Sequence, residues 1–239
     1  MAFPAVGATA TTDGTTASAT ATVNLPSGIL VNDLLLVCLR TATSTAGHGY
    51  PVGWTELFDD NSDASDDRIS LAYRWAAGTE GSTIGVSQDN QKYAALAWRI
   101  TGAQNPATTA PQFATLAVGT STTPNPGAVT PSGGTQDYLF LWLGGWEGEQ
   151  TSPPASNPTN YASNVIGANS GTAGVVATNV RLASASRQLN TGAAEDPGTW
   201  TISASDDWTA TTVCIHPATA AANLPPFGGL PPISPDWGY

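Results

Sequence analysis

Nowhere in this chain do apolar residues recur at the i, i+3, i+4, i+7 spacing that gives a helix its buried stripe. Thr, Val, Ile and aromatic residues gather instead in short runs, broken by clusters of Gly, Pro, Asn and Asp. β-Branched and aromatic side chains fit a pleated, half-buried surface, and the breaking residues are those that turns require, so the pattern predicts strands and turns throughout. The runs fall near 16–24, 33–40, 68–76, 83–87, 92–101, 113–118, 137–143, 162–167, 174–180, 183–189, 199–203 and 208–215. Short strands at this spacing indicate a sandwich or barrel rather than βαβ units. Residues 33–40 are apolar enough for burial on both faces, and Tyr93 to Ile100 are equally central.

The chain also repeats itself. Pro26-Ser27-Gly28 followed by Asp33-Leu34-Leu35-Leu36-Val37 is echoed by Pro131-Ser132-Gly133 followed by Asp137-Tyr138-Leu139-Phe140-Leu141. Later in each half, Gly78-Thr79-Glu80, Thr83 to Ser87 and Tyr93 to Ile100 match Gly192, Glu195, Thr199 to Ser203 and Trp208 to Ile215. The offset grows from 104–105 residues in the first pair to 114–116 in the second, so the second half carries longer loops. The expected domain is residues 1–217, with halves at about 16–102 and 113–216. Its fold class is all-β, a jelly-roll-like antiparallel β-sandwich with both closing strands central. Tandem domains are the alternative arrangement.

Composition narrows the partners. With 7 basic and 18 acidic side chains in 239 residues, the formal charge is -11. Nucleic-acid binding needs clustered Lys and Arg to neutralise phosphates, and here they are few and scattered, so no nucleic-acid partner is expected. The longest apolar runs, Leu34 to Leu39 among them, are far short of the roughly 20 residues that span a bilayer, so no membrane is expected either. Met1-Ala2-Phe3-Pro4 has no basic, apolar signal-peptide character, and synthesis in a cytoplasm follows. Cys38 and Cys214 each sit inside an apolar run, as buried free thiols do.

No constellation of catalytic residues stands out, and the chain is read as a non-enzyme. His48 and His216 have no partner at metal-ligand spacing, and there is no Gly-x-Ser-x-Gly elbow. In the acidic run from Asp59 to Asp67, Asp59, Asn61 and Asp63 alternate like the opening of a Ca²⁺ loop. Ala64 and Ser70 stand where such a loop needs Gly and Glu, so a solvated hairpin loop is preferred and no cofactor is expected, with Ca²⁺ the weaker reading. Trp146, in Gly144-Gly145-Trp146-Glu147-Gly148-Glu149, reads as an aromatic on a flexible acidic loop, the arrangement with which sandwiches stack on sugars. The other tryptophans fall in or beside strand runs and read as core.

From residue 218 the composition changes. A small-residue linker leads into Leu224-Pro225-Pro226-Phe227-Gly228-Gly229-Leu230-Pro231-Pro232-Ile233-Ser234-Pro235-Asp236-Trp237-Gly238-Tyr239. Proline at this density excludes a helix or central strand and favours polyproline-like extension. Leu224, Phe227, Leu230, Ile233, Trp237 and Tyr239 make the segment too apolar for an inert linker. Residues 218–239 therefore read as an extended C-terminal arm whose apolar side chains dock on a neighbour.

Taken in order, Leu25-Pro26-Ser27-Gly28, Asn32 to Val37, Val52-Gly53-Trp54-Thr55-Glu56-Leu57, Ala72-Tyr73-Arg74-Trp75-Ala76 and Ala94 to Gly102 resemble a group of tailed-phage and prophage virion proteins. That group carries a "PSGV..GDLLL" strand, a "P.GWT.L" turn, an "A.YY..A..G" strand and an "A....Y.GV" strand. The resemblance spans about residues 15–216. Ile100-Thr101-Gly102-Ala103 departs from it, and the Pro-rich arm lies outside it. It implies a virion structural protein, a capsid decoration (cement) protein above all, with the major capsid protein or other virion subunits as partners. Homotrimeric assembly would follow from how decoration proteins often pack, not from any residue here. The alternative is a receptor- or carbohydrate-binding module of a tail fibre or tail tip, with a host-surface glycan as ligand.

Overall fold

The computed structural model describes residues 2–42, 44–61, 67–148, 154, 156–171 and 179–219. These form eleven strands: β1 (Ala5–Asn24), β2 (Leu34–Thr41), β3 (Thr55–Asp60), β4 (Arg68–Trp75), β5 (Thr83–Thr101), β6 (Gln112–Phe113), β7 (Ala117–Ser121), β8 (Gln136–Glu147), β9 (Ser163–Asn169), β10 (Val180–Thr191) and β11 (Asp206–Ile215). No helix among the described residues is long and apolar enough to cross a membrane. The chain is an all-β sandwich of two antiparallel sheets, jelly-roll-like in its two stacked layers. Each half of the chain supplies one whole sheet. The first sheet has the order β1-β5-β2-β4-β3 and the second β6-β11-β8-β10-β9, with β7 also on β11.

The register shows how closely the second half copies the first. Leu34 lies opposite Ile100 and Thr41 opposite Tyr93 on β2 and β5. Leu139 lies opposite Ile215 and Trp146 opposite Trp208 on β8 and β11. On the other flank, Leu34 faces Trp75 and Thr41 faces Arg68, as Leu139 faces Gln188 and Trp146 faces Arg181. Each half also carries an irregularity where its last strand joins the sheet, between Glu56 and Phe58 on β3 and between Ser184 and Ser186 on β10. An ion pair is duplicated too: Arg74 to Glu80 at 3.2 Å and Arg187 to Glu195 at 2.8 Å.

The sheets stack in opposite order. β1 packs against β9, where the Asn169 amide donates to Asp13 Oδ1 at 2.8 Å. At the other edge, Phe58 of β3 and Phe113 of β6 have ring centroids 5.1 Å apart. The leading strand of each half thus lies beside the strand at the far edge of the other half's sheet, a pseudo-two-fold arrangement.

β2 is buried along its whole length, as its sequence requires. Strand side chains alternate between faces. Leu34, Leu36 and Cys38 point inward to meet Leu96, Trp98, Leu139, Leu141, Leu143, Leu182, Val213 and Ile215 in the core between the sheets. Val37 and Leu39 point outward and are covered by Ala21, Val23 and Val86. That cover comes from the β1–β5 ribbon, which bends over its own sheet beyond the register shifts between Gly14 and Thr20. The outer face of the second sheet carries Tyr138, Phe140, Trp142, Trp146 and Trp208 and is covered differently, by Trp200 and Tyr161 from outside the strands.

Several boundaries differ from expectation. β1 begins at Ala5 rather than near 16, because its first half is Thr- and Ala-rich and is held by pairing with β5 rather than by burial. β3 stands where the sequence suggests a turn running into an acidic loop. The expected strands at 83–87 and 92–101 are one continuous β5, and the run at 199–203 is held by isolated bonds to Pro124 and Thr122 rather than a ladder. Residues 174–178 lie outside the described residues.

Cys38 sits between the sheets and Cys214 on the outer face of the second, both free and buried. Burial raises both thiol pKa values, that of Cys214 to about 12. Neither thiol should react with a maleimide in the native protein, and both should in denaturant; native-state labelling would contradict this burial. Leu36→Ala and Leu141→Ala remove equivalent inward side chains and should each cost about 2–5 kcal/mol in urea denaturation.

Candidate functional site

Trp146 is not on a loop. It is a β8 residue, 0% exposed, paired across the sheet with Trp208 and Arg181, and its ring lies 6.5 Å from that of Trp200. It therefore offers no face for a sugar to stack on. The preceding glycines, read as signs of flexibility, are packing residues. A Cβ on Gly144 would stand 2.4 Å from the Trp200 ring, and one on Gly145 would stand 2.7 Å from Arg40 Cδ. Glycine here lets two large side chains approach the backbone.

Asp59 is likewise committed. Its Oδ1 accepts from Arg68 Nε at 2.6 Å and its Oδ2 from the His48 amide at 2.9 Å. Asn61 is exposed just beyond β3, and Asp63 lies outside the described residues. Among the described residues, no three His, Cys, Asp or Glu side chains are grouped to hold a metal. The arm residues Leu224, Phe227, Leu230, Ile233, Trp237 and Tyr239 also lie outside the described residues.

A polar cluster that the sequence did not single out surrounds His48. His48 Nδ1 is 2.7 Å from Ser70 Oγ and its Nε2 is 3.0 Å from Thr41 Oγ1. Tyr50 Oη is 2.9 Å from Ser70 Oγ and donates to the Val37 carbonyl at 3.3 Å. Asp89 anchors the preceding turn by accepting from the Thr45 and Ala46 amides at 2.9 and 3.0 Å. Nearby, Arg40 and Asp67 form a fully buried ion pair at 2.9 Å. Serine, histidine and aspartate are thus neighbours, but the His48 side chain is completely buried and both ring nitrogens are engaged by hydroxyls. The arrangement locks the 44–50 loop onto β2 and β4, and leaves no imidazole nitrogen for a substrate.

The more open feature lies at the opposite end of the first sheet. Tyr73 and Trp75 share the inward face of β4 with Leu71, but at the strand end they pass out of the core and stay half-buried. With Thr55 and Arg74, and with Asn105 and Pro106 from the crossover between the sheets, they line a groove of about 300 Å³. Trp75 Nε1 donates to Asn32 Oδ1 at 3.2 Å. Arg74 is fixed by Glu80 and by donating to the Val52 carbonyl at 3.3 Å. Val52 is 99% exposed, and Leu30 and Val31, which precede Asn32, are 64% and 62% exposed.

Across the 104–109 loop lies a second hollow, bordered by His216, Gln136 and Thr219. Here His216 Nε2 meets Gln112 Oε1 at 2.8 Å and its ring stands edge-on to Tyr138. Burial lowers the His216 pKa. Tyr73 and Trp75 are legible only as strand residues and Asn105-Pro106 only as a break, because the sequence does not show which end of β4 leaves the core.

Comparison with known proteins finds no matching family model, no similar curated protein and no similar solved structure.

Burial lowers the His48 pKa to about 4, with Asp59 opposing and Arg68 reinforcing the shift. The unfolded chain takes up this proton near pH 6.5, before the folded one does, so stability is unaffected above that pH and falls as pH drops toward 4. The loss should reach about 3 kcal/mol. Urea denaturation across pH 7 to 4 tests it, and His48→Gln should flatten that part of the profile. An unchanged slope in the variant would assign the pH dependence elsewhere.

Proposed function

We propose that this chain is a structural protein of a bacteriophage virion, a capsid decoration protein that docks on neighbouring subunits through its C-terminal arm. The observation that carries the reading is the contrast between the two ends of the molecule's surface chemistry. The sandwich body is closed by buried polar locks. Its 104–109 end leaves an aromatic groove and an exposed apolar rim beside the start of the arm.

A decoration protein needs a rigid body and adhesive surfaces more than it needs chemistry, and the duplicated sandwich supplies the first. The order of strand motifs that resembles phage virion proteins supports the same reading, as does the arm's apolar, proline-rich composition. Its partners would be the major capsid protein and further copies of itself, arranged as a homotrimer, on the surface of the virion. No cofactor and no turnover are required. The carbohydrate-binding alternative loses the residue on which it stood, since Trp146 is buried.

The test is co-sedimentation of purified full-length protein with capsids that lack it. The comparison is the full-length chain carrying Phe227→Ser, Leu230→Ser and Trp237→Ser. The native chain should bind and raise the temperature at which particles release their contents, and the substituted chain should do neither. Failure of both to bind would end the decoration reading.

A further inference from the structure

We propose that the groove formed by Tyr73, Trp75 and Pro106 is the receptor for the Pro-rich arm of a second copy of this chain. The inference rests on the arm-docking reading above and names the surface that the arm grips.

The first support is position. The Ala218 amide donates to the Gly102 carbonyl, Pro217 bridges to Ala103, and the Thr219 amide donates to Gln104 Oε1 at 2.8 Å. The arm therefore starts beside the loop whose next residues, Asn105 and Pro106, form a wall of the groove.

The second support is chemistry. Extended proline-rich segments dock in shallow aromatic grooves, where proline rings pack on aromatic faces and polar neighbours bond the free carbonyls. Tyr73, Trp75 and Pro106 offer the apolar surface, and Asn105 and Thr55 offer the polar neighbours. The arm carries two segments of matching form, Leu224-Pro225-Pro226-Phe227 and Leu230-Pro231-Pro232-Ile233. Its single charged side chain is Asp236, so apolar contact rather than charge would hold it, as two copies of a chain with formal charge -11 require.

Length argues for a second copy. Only the 104–109 loop separates Thr219 from its own groove. The segment from Leu224 to Tyr239, extended, spans about 50 Å. A groove of about 300 Å³ takes one of the two proline segments, and the arm is far longer than a turn back onto its own domain needs. Leu30, Val31 and Val52 extend the apolar surface on which the remainder would lie.

The experiment uses two full-length variants with different affinity tags, Ala107→Cys at the exposed groove wall and Gly228→Cys between the two proline segments. The native thiols are buried and do not compete. Mixed under oxidising conditions, the variants should form a disulfide-linked heterodimer. Adding Val52→Asp to the first variant, a change at a fully exposed site that leaves the core intact, should lower its yield by about tenfold. Absence of the heterodimer, or a yield indifferent to Val52→Asp, overturns the inference. So does a chain carrying both cysteines that links only to itself. If arm-dependent capsid binding persists without the heterodimer, the inference falls while the decoration reading stands. If both are lost, both fall.

Discussion

The fold depends on strands that are apolar on both faces. β2 and β8 each send one set of side chains toward the opposite sheet and the other set outward. A sheet of this kind cannot stand alone, because roughly 1.5–3 kcal/mol is forgone for each large apolar side chain left in water. Each half therefore needs two covers. The inner cover is the other half, stacked with its strand order reversed. The outer cover is made locally, by the bent β1–β5 ribbon in the first half and by loop-borne aromatics such as Trp200 in the second.

The remaining polar groups are arranged around that demand. Arg40 reaches into the space that Gly145 leaves open and pairs with Asp67 out of contact with water. A buried pair of this kind is weak evidence for net stability, but removing one partner strands the other charge. The duplicated pairs, Arg74 with Glu80 and Arg187 with Glu195, hold the turns at equivalent places in the two halves. The Tyr161 hydroxyl also donates to Glu195, at 3.1 Å, whereas Glu80 accepts from the Ala77 and Gly78 amides of its own turn. The aromatic groove lies at the 104–109 end, where β4 runs out of the core.

Much of this architecture was legible in the residues. The chain's strand character, the double burial of 33–40 and the buried thiols follow from composition and period alone. So does the relation between the halves: the sequence offsets of 105 and 115 are those that carry Leu34 opposite Ile100 onto Leu139 opposite Ile215. What misled was glycine. Gly144-Gly145 beside acidic residues reads as a loop when only local freedom is considered, yet these glycines exist because Trp200 and Arg40, distant in the chain, press on the backbone there.

The sequence by itself determined that this protein is an all-β chain in two matching halves followed by a proline-rich arm. Alternation, turn residues and missing amide hydrogens act within a few residues of one another, and no distant contact is needed to read them. Only the tertiary structure decided which aromatics are core and which are surface, that Trp146 is sealed while Trp75 opens into a groove. Exposure depends on where a strand ends relative to the opposite sheet, and that is fixed by the packing of two halves more than a hundred residues apart.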